Sequence, residues 1–215
     1  VQTAIDSLIE AGRWLDARGY APATSGNYSV RLGPGRILVT ASGRHKGRLG
    51  RGDFVVIDEE GRKVEGPEEN HPSAEAALHA AMFRLDRRIG AVLHTHSVCA
   101  TVLGMALGGA PGVQGGAATT HGTTLDLTGY EMLKALPGIS THEATVKIPV
   151  FDNSQDVALL ARQVESRWHD GPFPGYMLRG HGLYAWGNDL HLAMRSAEAL
   201  EFLVACELER RKVTP

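Results

Sequence analysis

The 215-residue chain has 22 basic and 24 acidic residues, a formal net charge of -2, and a hydrophobic content of 43%. Charges of both signs run along the whole length, so no cationic stripe can follow a phosphodiester backbone and nucleic acid is not an expected partner. No apolar run approaches the ~20 residues of a membrane-spanning helix, and two cysteines, Cys99 and Cys206, are too few for a disulfide framework; a cytoplasmic protein that does not enter a membrane is expected.

A chain of this size fits one domain, 1–215. Residues 3–18 place Ile5, Leu8, Ile9 and Leu15 on one helical face, with Gly19 where a left-handed cap is favoured. Short β-type runs at 37–40 and 54–57 follow, punctuated by glycine, which predicts loops folded around a ligand. Residues 73–85 read as a helix and 89–96 as a buried strand leading into an apolar helical stretch, 98–107. The stretch 108–116 holds six glycines and prolines together and is expected to be a loop. Beyond it the pattern predicts a helix over 129–136, a strand over 145–150, a helix over 155–168, a hairpin over 176–186, and a last helix opened by Asn188.

The strongest chemical signal is His94-Thr95-His96 at a strand end, because residues two apart in a strand project to the same side. Two neutral imidazoles there supply two corners of a tetrahedral metal site. His181, set between Gly180 and Gly182, is the candidate for the third, since flanking glycines allow close backbone approach. Three histidines with an open fourth position suit a catalytic ion. The same pair also reads as ordinary strand histidines with hydrogen-bonded rings, and the other seven histidines read as surface residues or supports.

The run Ile89-Gly90-Ala91-Val92-Leu93-His94-Thr95-His96-Ser97, preceded by Pro72-Ser73-Ala74-Glu75 and followed by Arg179-Gly180-His181-Gly182, resembles the class II aldolase and adducin family. Ala23-Thr24-Ser25-Gly26-Asn27-Tyr28-Ser29, Ser42-Gly43-Arg44-His45-Lys46-Gly47, Gly129-Tyr130-Glu131-Met132-Leu133-Lys134 and Pro149-Val150-Phe151-Asp152-Asn153 are similar to a branch of it that removes water from a phosphorylated ketose. The resemblance implies a three-layer α/β/α domain around a largely antiparallel sheet, one Zn2+ per subunit on His94, His96 and His181, and a homotetramer with sites near subunit interfaces. Alternatives within it are cleavage of a carbon–carbon bond, and a non-catalytic scaffold.

Two carboxylates are candidates for proton transfer. Glu75 stands near a helix start, where the helix dipole alone favours an acid. Glu131 stands three residues after Thr128, a capping-box spacing. The resemblance gives Glu131 the acid/base role and puts Glu75 beside the metal. It also implies a phosphate site at Asn27, Ser42, Gly43 and Ser73, with Lys46 as an added charge, although Ser-Gly and Gly-Asn pairs are also plain turn formers.

Overall fold

The computed structural model describes residues 1–107 and 123–213, so the expected loop at 108–116 lies outside the described residues. Helix α1 (Gln2–Ala17) buries Leu8, Ile9, Ala11 and Leu15 and ends before Gly19, whose φ is +74°. Strands β1 (Asn27–Gly33), β2 (Arg36–Thr40), β3 (Phe54–Ile57) and β4 (Lys63–Glu65) form an antiparallel meander. Helix α2 (Ala76–Leu85), β5 (Ala91–Thr95) and α3 (Val98–Ala106) follow, the last capped by the Ser97 hydroxyl, which accepts from Ala100 N at 3.0 Å. After β6 (Thr123–Leu127) come β7 (Val146–Phe151), α4 (Val157–His169), β8 (Gly175–Leu178), β9 (Gly182–Gly187) and α5 (Leu190–Val213).

Three expectations need correction. The helix over 129–136 is a single 3-10 stretch, Glu131–Ala135, flanked by Gly129 at φ +81° and by extended backbone at Tyr130 and Leu136. The capping box does not form there, because Tyr130 is the N-cap and makes no side-chain cap bond. The last helix is opened by Asp189, not Asn188: the Asp189 carboxylate accepts from Leu192 N at 2.8 Å.

The nine strands form one sheet in the order β4-β3-β2-β1-β5-β9-β8-β7-β6. Every neighbouring pair is antiparallel except β7 with β8. Strand alternation splits the core in two. Ile37 and Val39 pack with Leu78 of α2 and Leu160 of α4, whereas Leu38 packs with Leu8 of α1, Leu103 of α3 and Leu200 of α5. Helices therefore cover both faces, giving the expected three layers around a mostly antiparallel sheet.

The registers also define which residues share a rim. Asn27 stands opposite His94, Thr95 opposite Leu183, Leu178 opposite Gly182, Phe151 opposite Leu178, and Thr123 opposite Val150. The end of β5, the starts of β1, β9 and β6, and the ends of β7 and β8 all lie along this one edge. Leu127, paired with Val146, is at the far end of β6. Among the described residues no helix is long and apolar enough to cross a membrane.

Candidate metal centre

Along β5 the alternation sends Val92 and His94 toward the α2 side of the sheet and Thr95 toward α5. His96 leaves the strand just beyond, anchored by its backbone N–H to the Tyr20 carbonyl at 2.7 Å. The rings of His94 and His96 have centroids 4.5 Å apart. His181 arrives from the turn between β8 and β9, its ring 4.5 Å from His96 and 4.9 Å from His94.

Glycine makes that approach possible. A Cβ on Gly182 would stand 1.9 Å from the Thr95 carbonyl oxygen, and Gly180 holds φ +66°, a conformation costly for other residues. Glu75, at the N-cap of α2, places Oε1 2.7 Å from His181 Nε2 and 3.6 Å from His94 Nε2. Candidate ligand atoms of Glu75, His94, His96 and His181 all lie within 4.8 Å of one another.

The donor pattern fits a cation. His94 Nδ1–H donates to the Leu183 carbonyl at 3.0 Å and His181 Nδ1–H to Asn153 Oδ1 at 3.2 Å. Each ring then presents an Nε2 lone pair, and these two nitrogens are 3.3 Å apart. His96 Nε2 is buried with no hydrogen-bond partner among the described residues. Three inward lone pairs beside a carboxylate repel one another unless a positive ion lies between them.

The carboxylate and the imidazoles perturb one another strongly. Burial pushes the Glu75 carboxyl up, but hydrogen bonds and charge from His181 and His94 outweigh it and hold the group far below the usual carboxylate range. Burial lowers His94, against the pull of Glu75, and lowers His96 to about 3 with help from its two neighbouring imidazoles. His94 and His96 are thus neutral and the carboxylate charged at neutral pH, the forms in which such groups act as ligands.

The other predicted residues divide clearly. Asn27 is buried, and its amide donates to Glu75 Oε2 at 2.6 Å and to Ser73 Oγ at 3.4 Å. Ser73 also accepts from Glu75 N at 3.2 Å. Ser42 and Gly43 are exposed on the turn after β2, which is tied to the same region by Ser42 N donating to the His71 carbonyl and by the Ala41 to Pro72 bridge. Lys46 is 1% exposed, its ammonium donating to the carbonyls of Thr24 at 2.7 Å and Arg44 at 2.6 Å. Burial lowers it to about 8, only partly offset by Glu75. Glu131 is not brought to the cluster: it lies past the far end of β6, exposed, 2.5 Å from Lys134 Nζ and 3.7 Å from His142 Nδ1.

Sequence reasoning missed several supports. Tyr184 stacks on His94 at 4.0 Å, and Tyr176 stacks on Tyr184 at 4.6 Å, which pins the His94 ring from behind. Glu201 of α5, 2% exposed, accepts from the hydroxyls of Thr95 and Ser97 and so clamps the residues flanking His96. His79, among the histidines read as surface residues or supports, is of the second kind, wholly buried behind Asn27. Asn153, the acceptor for His181, fell inside a stretch carrying the resemblance, whereas Tyr184 becomes visible only through the register that sets it opposite His94.

Comparison with known proteins places the chain in a family. The chain is 45% identical over 212 residues to a methylthioribulose-1-phosphate dehydratase of Marinobacter nauticus, an alignment covering 98% of this chain and 95% of that one. It is 48% identical over 202 residues to one of Sorangium cellulosum, covering 94% and 89%. An L-fuculose 1-phosphate aldolase structure superposes with a TM-score of 0.78 at 21% identity, covering 100% and 89% of the two chains. The l-fuculose-1-phosphate aldolase of Thermus thermophilus gives 0.73 at 25% identity, covering 99% and 97%. The profile of the Class II Aldolase and Adducin N-terminal domain family matches residues 6–208. With that match spanning almost the whole described fold, the chain belongs to the class II aldolase and adducin family.

Proposed function

We propose that this chain removes water from 5-methylthioribulose 1-phosphate, giving 2,3-diketo-5-methylthiopentyl 1-phosphate in methionine salvage, a reading supported by relatives of 45% and 48% identity that are named methylthioribulose-1-phosphate dehydratase. The observation that carries the reading is the orphaned His96 Nε2 facing two further imidazole lone pairs and a charged carboxylate. His94, His96 and His181 would hold one Zn2+, and such an ion supplies Lewis acidity to a ketone oxygen, acidifying the neighbouring carbon-bound proton.

The residues then have separable tasks. Ser42, Gly43 and Ser73, on turns beside Glu75, offer hydroxyl and backbone N–H donors to the phosphate. Lys46, sealed beneath those turns, contributes its field and braces the loop carbonyls. A carboxylate takes the proton from the carbon between ketone and hydroxyl, and the hydroxyl on the next carbon leaves as water once it gains a proton. The enol so formed tautomerises to the diketone.

Glu75 is the carboxylate that this chain holds at the site. For Glu131 the topology supports action only across copies. It follows Leu127, four strand steps or about 14 Å from the rim that carries Thr123. A second copy in a homotetramer would present it to the His cluster of its neighbour.

Incubation of zinc-loaded protein with 5-methylthioribulose 1-phosphate is expected to give a dicarbonyl product lighter by one water. A two- or three-carbon aldehyde instead would show carbon–carbon cleavage, and an unchanged substrate would favour a scaffold.

A further inference from the structure

Behind Glu75 runs a buried polar chain through Asn27 to His79 and Ser29, and the last two are given no part in metal ligation or phosphate binding. His79 lies one helical turn after Glu75 on α2 and is wholly buried, its ring edge-on to Tyr184 at 5.6 Å. Its Nδ1 is 2.6 Å from Ser29 Oγ, and its Nε2 is in short contact with Asn27 Oδ1. The Asn27 amide nitrogen in turn is 2.6 Å from Glu75 Oε2.

Counting donors and acceptors leaves one assignment. An ionised carboxylate only accepts, so the Asn27 group facing Glu75 is its NH2. Asn27 Oδ1 therefore faces His79 and needs a donor, which places the ring proton on Nε2. The neutral ring then accepts at Nδ1, and Ser29 donates to it. Burial lowers the His79 pKa to about 3, in keeping with a ring that stays neutral.

We propose that His79 is a positioning residue: its Nε2–H locks the Asn27 amide with NH2 toward Glu75, and that bond aims Glu75 Oε1 at the imidazole cluster. Without the donor, the amide is free to turn its oxygen to Glu75. Two acceptors then repel, and the carboxylate loses its aim. The inference rests on the reading of the cluster as a metal site and is independent of the substrate.

Two measurements test it. The first is 15N NMR of the imidazoles in the zinc-loaded full chain, in which His79 is expected as the neutral Nε2–H tautomer; an Nδ1–H tautomer would overturn the assignment even if His79→Leu fails to fold. The second is zinc affinity by chelator competition across a set of variants. His79→Leu is expected to weaken zinc by about 10–100-fold, the usual effect of removing a ligand's support, while His79→Gln, which keeps a donor near Nε2, stays within about threefold. In an Asn27→Leu background, His79→Leu is expected to add less than about twofold, since the path runs through that amide. Equal losses in the Leu and Gln variants, or a full loss persisting beside Asn27→Leu, would refute the positioning role. Failure of the wild-type chain to bind zinc would sink the metal-centre reading instead, and the tautomer would then decide the His79 assignment alone.

Discussion

His94 and His181 each spend one ring nitrogen on a fixed acceptor, the Leu183 carbonyl and the Asn153 side chain, and turn the other inward. In the proposed metal site, ligation would therefore depend on the acceptors as well as on the rings. Alanine at His94, His96 or His181 is expected to remove bound zinc and turnover together, measured as metal per chain beside product formation. Asn153→Ala leaves all three nitrogens present and is expected to weaken zinc by about 10–100-fold without abolishing it. The acid limb of stability is also set by single residues. His79 binds its proton at about pH 3 when folded and near 6.5 when unfolded, so between these values the unfolded chain holds one more proton. Stability consequently rises with pH across that window and is lost as pH falls. Urea unfolding of the metal-free protein should show this slope, and His79→Gln should flatten it by up to about 1.4 kcal/mol per pH unit. The three candidate histidines stood out in the sequence because His94 and His96 are two apart at a strand end and glycines flank His181, and the fold brings their rings together. Buried Asn27 and Ser29 were not readable as strand residues, since their polarity is satisfied by Glu75 and His79, far away in the chain.

Elements carry the next level of control. The close contact of β5 with the start of β9 depends on the missing side chain at Gly182, where any Cβ meets the Thr95 carbonyl at 1.9 Å. Gly182→Ala must push the strands apart, so a loss of about 1–3 kcal/mol in chemical unfolding is expected. Zinc affinity should fall with it, because His94 is on β5 and His181 directly precedes β9. At α5 a milder outcome is expected: Asp189→Ala removes the acceptor for Leu192 N and costs about 1 kcal/mol, whereas Asn188→Ala leaves that cap intact. The five helices and strands β2, β3, β5, β7, β8 and β9 followed their hydrophobic periodicity closely, whereas β1, β4 and β6 carried no such signal. The stretch 129–136 had the composition of a helix, but Gly129 and Pro137 confine it to one short 3-10 stretch packed on α5. The start of α5 was read one residue early, because neighbouring Asn188 and Asp189 are equally good cappers and only the fold decides between them.

At the scale of the molecule, the sheet gathers its chemistry along one rim. Asn27, Ser42, Gly43, Ser73, Glu75, His94, His96 and His181 come from widely separated stretches, yet all lie at the same strand ends or on turns tied to them. Glu131 sits toward the opposite rim. Sequence motifs can nominate both carboxylates but carry no information on which end of a strand a distant residue will reach. If a neighbouring copy supplies Glu131, two inactive variants should rescue each other: His96→Ala and Glu131→Gln, co-expressed and assembled, are expected to regain a measurable share of turnover that neither has alone. A mixture as inactive as its parts would remove Glu131 from the site and leave proton transfer to Glu75. The most direct measurement of the central claim is a zinc titration of metal-free protein in the presence of 5-methylthioribulose 1-phosphate. Dicarbonyl production should rise with zinc and level off at one ion per chain, with no rise in His96→Ala. Undiminished production before any zinc is added, or an equal rise in His96→Ala, would contradict it.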